Sequence, residues 1–143
     1  MVFKINVSHK GKAYKAETDN EDLAGIKIND KIDGKMISND LEGYELEITG
    51  TSDKAGFPGL PNVQGPQLKG VLLTYGRGMH KKPRREGRKR VQSTRGLRLR
   101  KTVRGNEISL HTVQINTKVL KEGHKKFADL LPKKEEAAVE KKE

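Results

Sequence analysis

One short stretch of the chain carries almost half of its positive charge. Residues 77–104 contain 13 of the 30 Lys and Arg side chains and a single acid, Glu86, which leaves 17 basic and 18 acidic side chains elsewhere. Like charges at this density repel one another, so this basic segment cannot build a core of its own. The chain is therefore expected to combine a near-neutral folded body with a segment that requires a polyanionic partner.

The composition limits the size and class of the body. The chain has 143 residues, of which 32% are apolar and 34% charged, so it fits one small domain with a modest core. Cysteine is absent, which excludes disulfides and thiolate chemistry. The N-terminus alternates instead of forming an apolar block, and the longest aliphatic run, residues 71–73, is far shorter than the ~20 residues of a membrane span. We expect a soluble, intracellular protein.

Alternation of apolar and polar residues predicts a mainly antiparallel β domain. The alternating segments are residues 2–8, 12–18, 44–49, 69–75 and 106–120. The first two predict a hairpin, and the third is expected to end at Gly50. The last changes parity near His111, which indicates a bulge or a turn. Short helical turns are favoured over residues 21–25 and 127–131.

Residues 50–66 are rich in Gly and Pro and predict a shaped loop. From composition alone, residues 52–58 favour a simple turn in which Phe57 is buried against the sheet. The alternative is a loop that faces RNA, in which Lys54 meets a phosphate. Asp53 lies beside Lys54 in the sequence, which is typical of a solvated surface pair.

Motifs for catalysis or for metal binding are missing from the sequence. The four histidines do not have the spacing of metal ligands, and neither a nucleophile elbow nor a phosphate-binding loop is present. We therefore predict neither an enzyme nor a cofactor. An RNA-modifying enzyme stays open as an alternative, although it requires a catalytic constellation that the sequence does not provide.

The composition of the basic segment indicates how it would bind its partner. Arg outnumbers Lys nine to four, and Arg pairs bidentately with phosphate oxygens. The segment contains no Phe, Tyr or Trp, so stacking on single-stranded bases is not expected to be its main mode. Four Gly and Pro residues within it, and Gly105 directly after it, break it into short pieces. These features favour a bent, extended arm that follows the phosphates of folded RNA and becomes ordered on it.

Two long motifs resemble a known family. They are KTVRGNEIS at residues 101–109, followed by VQIN at 113–116, and ITGTSDKAGFP at residues 48–58, followed by VQGP at 63–66. The chain is similar here to small-subunit ribosomal protein six of the archaeal and eukaryotic type, in an archaeal-like short form. The resemblance implies a β-rich, barrel-like domain that contacts small-subunit rRNA. It also favours a functional loop at residues 52–58, with Phe57 still packed.

The resulting hypothesis is a structural constituent of the small ribosomal subunit, in the cytoplasm, with a role in subunit assembly and translation. We assign residues 1–76 and 105–122 to a β domain, residues 77–104 to the basic segment, and residues 123–143 to a charged tail with a short helical turn. Small-subunit rRNA and neighbouring ribosomal proteins are the expected partners, without a membrane or a small-molecule substrate. The other open interpretation is a free regulatory or chaperone-like binder of RNA or DNA.

The candidate RNA-binding side chains are the cations of the basic segment together with one lysine and one asparagine beside it. They are Lys54, Arg77, Lys81, Lys82, Arg84, Arg85, Arg88, Lys89, Arg90, Arg95, Arg98, Arg100, Lys101, Arg104 and Asn106.

Overall fold

The structure is a computed structural model that describes residues 2–81 and 96–130. These ranges are mainly β, which confirms the predicted fold class. The strands are β1 (Phe3–His9), β2 (Lys12–Thr18), β3 (Lys31–Asp33), β4 (Glu45–Asp53), β5 (Leu68–Thr74), β6 (Arg98–Arg104) and β7 (Thr112–Lys121). The helices are α1 (Phe127–Leu130) and three single 3-10 turns at Glu21–Leu23, Gly34–Met36 and Asn39–Leu41.

The strands form one five-stranded sheet and one two-stranded sheet. The larger sheet has the order β2-β1-β7-β4-β3, and the smaller one pairs β5 with β6. All pairs are antiparallel except β1 with β7, which run parallel, so the larger sheet is mixed. In the described part of the chain its edge strands β2 and β3 do not pair with each other. The predicted barrel-like shape is therefore not closed by a hydrogen-bonded ladder.

The main core lies on one face of the larger sheet. The strand residues on this face are Phe3, Ile5, Val7, Leu46, Ile48 and Ile115. The segments that cover them contribute Leu23, Ile28, Ile37, Leu41, Tyr44, Ile108 and Phe127. Alternate residues of a strand point to opposite faces, so the period-two pattern in the sequence becomes one apolar face and one polar face. A smaller cluster of Leu60, Val63 and Val103 lies under the β5–β6 hairpin, with Val71 and Leu73 packed against it.

The polar face of the sheet is neutralised by ion pairs between neighbouring strands. Glu45 on β4 lies 2.8 Å from Lys31 on β3 and 2.8 Å from Lys121 on β7. Glu47 lies 2.8 Å from Lys118 in the same way. Hydrogen bonds from the two lysines lower the pKa of Glu45 to about 2. This face consequently offers little net charge to a polyanion.

Strand β4 does not end at Gly50, so that prediction is wrong. The pairing with β7 skips one residue between Ile48 and Gly50, which makes Thr49 the extra residue of a β-bulge. Beyond the bulge the inward parity changes from Leu46 and Ile48 to Thr51 and Asp53. Gly50 therefore marks an irregularity inside a longer strand, and the bulge directs the carboxylate of Asp53 into the protein.

Strand β6 was not predicted, because positive charge dominates its sequence. Leu99 and Val103 nevertheless alternate with Arg98, Arg100 and Thr102, and Leu99 pairs with Leu73 of β5. The C-terminal quarter of the basic segment is therefore part of a β-hairpin. Two further expectations are confirmed: a turn at Ser109–Thr112 accounts for the change of parity, and short helical turns form at Glu21–Leu23 and Phe127–Leu130. The first turn is capped by Asn20, whose side chain accepts a 3.0 Å hydrogen bond from the Asp22 N–H.

Replacing Glu45 with Gln should make the free energy of unfolding less dependent on pH under acidic conditions. The pKa of Glu45 in the folded state is about 2, below its ordinary value of 4.5, so this group stabilises the fold above pH 4.5. That contribution disappears as the pH falls through the window from 4.5 to 2. Urea unfolding at pH 7 and at pH 3 should show a smaller loss for Glu45→Gln than for the wild type. The control Glu17→Gln, at a looser and exposed pair 3.9 Å from Lys4, should lose as much stability as the wild type.

Candidate nucleic-acid interface

A buried ion pair joins the end of β4 to the end of β6. Asp53 Oδ2 lies 3.0 Å from Arg104 Nη2 and accepts a 3.1 Å hydrogen bond from Arg104 Nε. The two side chains are only 3% and 10% exposed. The Nη1 atom of the same guanidinium donates to the carbonyl of Pro66 at 2.8 Å. Asp53 is therefore not part of a solvated surface with Lys54, which corrects the sequence-based interpretation.

The same carboxylate holds the loop that follows β4. Asp53 Oδ1 accepts a hydrogen bond from the backbone N–H of Phe57 at 2.8 Å, while the Asp53 N–H donates to the carbonyl of Phe57 at 3.2 Å. The carbonyl of Pro58 accepts from the N–H of Arg104 at 2.9 Å. Because one carboxylate binds both Arg104 and Phe57, the position of the loop at residues 54–58 depends on the ion pair.

A second set of contacts holds the chain just after β6. The N–H of Gly105 donates to the carbonyl of Gln67, and the N–H of Asn106 donates to the carbonyl of Val63. Asn106 Oδ1 in turn accepts from the N–H of Gly65 at 3.3 Å. A Cβ atom at Gly105 would lie 1.6 Å from the carbonyl oxygen of Gly65, so only glycine fits at this position. The two motifs that carry the family resemblance thus form one interlocked unit.

An open cleft of about 720 Å³ lies between this loop and the β5–β6 hairpin. One wall is the loop, with Gly56, Phe57 and Pro58. The other parts of the lining are Ala55, Arg77, Gly78, His80, Arg100, Lys101 and Thr102. The lining contains three permanent cations and no acid, and among the described residues none of these cations forms an ion pair. We call it the cationic cleft.

Arg77 is positioned in the cationic cleft by the β-bulge. Its Nη2 donates to the carbonyl of Thr49 at 2.7 Å, the residue that the bulge takes out of register. A Cβ atom at Gly50 would lie 2.5 Å from the same Nη2, so glycine at this site lets the guanidinium approach the strand. Arg100 is held more loosely, through a 3.3 Å hydrogen bond from Nη1 to the carbonyl of Gly70.

The structure separates the sequence-predicted candidates into four groups. The exposed cations are Lys54, Arg77, Lys81, Arg98, Arg100 and Lys101. Asn106 is half-buried and bonds to the loop, whereas Arg104 is buried in the ion pair. The interior position of Arg104 removes it from the exposed surface. The candidates that lie outside the described residues are Lys82, Arg84, Arg85, Arg88, Lys89, Arg90 and Arg95.

Phe57 is the main feature that the sequence analysis placed wrongly. It is half-buried, lines the cationic cleft, and belongs to neither hydrophobic cluster. The motif drew attention to the residue, but nothing in the sequence showed which way its ring faces. His80 was not among the sequence-predicted site residues, although it lines the cleft. Its ring contacts the ring of Tyr75 edge-on, with the two ring centroids 5.8 Å apart.

In residues 2–81 and 96–130 no group of three or more His, Asp or Glu side chains is arranged to hold a metal ion. Within the same ranges, the helices are too short and too polar to cross a membrane.

The fold and the site define a class: small, basic, mainly β proteins with an open cleft lined by cations. Residues 1–132 match the family model of ribosomal protein S6e, and the chain belongs to that family of ribosomal proteins, which is not a family of enzymes. It is 44% identical to small ribosomal subunit protein eS6 of Methanocaldococcus jannaschii, over 85% of this chain and 82% of that protein. The protein of the same name from Methanothermobacter thermautotrophicus is 42% identical over 95% and 100% of the two chains.

Replacing Arg104 with Met should destabilise the fold by about 3–5 kcal/mol, because it leaves the Asp53 carboxylate buried without its partner. Arg100→Met, at an exposed position of the same strand, is the matched control and should change stability by less than about 0.5 kcal/mol. Adding Asp53→Asn to Arg104→Met should recover part of the loss, since the uncompensated charge is then gone. Urea unfolding of the four proteins measures this. Equal losses for the two single Arg variants would contradict a structural role for Arg104.

Proposed function

We propose that this protein is a structural constituent of the small ribosomal subunit in the cytoplasm, where it binds small-subunit rRNA. The observation that supports this most directly is the cationic cleft, in which Arg77, Arg100 and Lys101 meet without an acid in the lining. The two relatives are small ribosomal subunit proteins, and they match 85% and 95% of this chain.

The distribution of charge indicates which side of the protein would face the RNA. On the polar face of the large sheet, Glu45 and Glu47 bind three lysines at 2.8 Å, so most of the positive charge of those lysines is offset. The carboxylate of Asp53, which holds the loop beside the cleft, is already neutralised by Arg104. The excess positive charge therefore lies on the side of the β5–β6 hairpin and its loop. A phosphate backbone would be attracted to that side.

The cleft also fits the way folded RNA is recognised. Double-stranded RNA offers phosphates and 2′-hydroxyls more readily than base edges. Arg100 and Lys101 are adjacent on strand β6, and together with Arg77 they line the cleft. Cations carried on a backbone that is already ordered bind phosphates with less entropy loss than cations of a disordered chain, since less remains to be ordered on binding. The rest of the basic segment, at residues 82–95, contains seven further Lys and Arg residues in the sequence.

The affinity for small-subunit rRNA should fall steeply with salt, and the cleft should account for part of that slope. Each neutralised phosphate contributes roughly −0.7 to −0.9 to the log–log slope, so the double variant Arg100→Ala, Lys101→Ala should be shallower by about 1.5. Filter binding or fluorescence anisotropy between low and moderate salt measures the slope. The matched control is Lys12→Ala, Lys15→Ala, which removes two exposed lysines from the far edge strand β2 and should leave the slope unchanged. Equal slopes for the wild type and the cleft variant would contradict the role of the cleft.

Assembly into the subunit should require the cations of the central basic segment. A variant with alanine at five of them should keep a folded β domain but no longer sediment with small subunits. The five are Arg84, Arg85, Arg88, Lys89 and Arg90. Circular dichroism of the purified variant tests the fold, and gradient sedimentation of cell lysate tests incorporation. Normal incorporation of this variant would argue against the basic segment, and a wild-type protein that stays free of small subunits would favour a free nucleic-acid binder instead.

A further inference from the structure

We propose that Phe57 is a stacking platform for one unpaired base of the bound RNA, within the cationic cleft. This inference deepens the proposed function and rests on it, since it requires that the cleft bind RNA. It differs from the phosphate-following mode expected of the basic segment, which contains no aromatic residue.

The first argument is that Phe57 is not part of the hydrophobic core. It belongs to neither hydrophobic cluster of the described residues, and it is not among the partly buried side chains that pack against them. Phe57 is instead half-buried and belongs to the lining of the cleft. A Phe side chain that is buried fully gains about 1.5–3 kcal/mol, and Phe57 forgoes part of that gain. A ligand that covered the ring would recover it.

The second argument is that the loop holds Phe57 in place before any ligand arrives. Its backbone N–H and carbonyl are both bonded to Asp53, at 2.8 Å and 3.2 Å, and Asp53 is held by Arg104. The residue before it, Gly56, has a φ of +85° and nothing within 4 Å of where a Cβ would be, so the loop turns sharply beside open space. Because the backbone of Phe57 is already held, less conformational entropy is lost when a base stacks on its ring than in a flexible loop.

The third argument comes from the surroundings of the ring. Pro58 continues the apolar wall beside Phe57, and Arg77, Arg100 and Lys101 line the same cleft. An apolar wall suits the face of a base, and cations suit the two phosphates that flank it. At about 720 Å³ the cleft is large enough for one nucleotide with its backbone.

Folded RNA contains unpaired bases of the kind that this site would bind. Sequence-specific or shape-specific contacts to bases concentrate on bulges, loops and ends, whose unstacked bases can be displayed to an aromatic side chain. Stacking tolerates any base because every base has a π face. We therefore expect the platform to accept all four bases.

The test compares three short RNA hairpins of one sequence: fully paired, with a single bulged nucleotide, and with an abasic residue at the bulge. The abasic RNA keeps the backbone distortion and lacks only the base. The wild type should bind the bulged RNA about ten-fold more tightly than the abasic one, which corresponds to one stacked base. Phe57→Ala should bind the two equally, Phe57→Trp should keep the preference, and the four bases at the bulge should give similar affinities.

The control variant is Leu120→Ala, which removes an exposed apolar side chain that does not line the cleft and should keep the preference. Circular dichroism and urea unfolding confirm that each variant is folded. If the wild type binds all three RNAs with the same salt-dependent affinity, the stacking platform is wrong and the proposed function stands. If the wild type binds none of these RNAs and no small-subunit rRNA either, the proposed function fails together with the platform.

Discussion

The buried pair of Asp53 and Arg104 is the interaction on which the rest of the interface depends. It joins the large sheet to the β5–β6 hairpin, and its carboxylate also fixes the loop that forms one wall of the cationic cleft. Removing two charges from water is costly, and the cost is offset here because each partner has additional hydrogen bonds, to Phe57 and to the carbonyl of Pro66. A hydrophobic pair of similar volume would fill the same space, but it could not orient the loop.

The pair also resolves a conflict between charge and folding. A chain with a net charge of +11 must keep its cations apart or neutralise them. Three acids of the body each lie within 3.0 Å of a cation: Glu45 and Glu47 on the sheet face, and Asp53 in the buried pair. The cations of the cleft are left without acidic partners among the described residues. Segregation of charge thus stabilises the body and leaves the cations of the cleft exposed.

The sequence predicted the regular parts of this fold well and the irregular parts poorly. Alternation located most of the strands because burial of one sheet face leaves a period of two, as in Phe3, Ile5 and Val7. It failed at Gly50, because a bulge shifts the pattern without any separate signal. It failed again at β6, where arginines conceal the alternation of Leu99 and Val103.

The candidate site was predicted in part for a related reason. Exposed cations such as Arg100 and Lys101 follow from composition, and the structure brings them beside the loop of residues 54–58. The interior position of Arg104 depends on a carboxylate 51 residues away along the chain, and no local pattern reports such a pairing. The orientation of Phe57 depends on the same carboxylate. Both were therefore beyond what one sequence could show.

The parallel pairing of β1 with β7 determines when the large sheet can be completed during synthesis of the chain. The hydrogen bond between Asn6 and Asn116 joins residues 110 apart, and β1 lies between β2 and β7 rather than at the edge of the sheet. During synthesis the first hairpin emerges early, but its inner neighbour is made last. The cationic stretch thus leaves the ribosome before the sheet that carries it is complete. Such long-range pairing slows folding, so the nascent chain exposes its positive charge and its unfinished core together for that interval.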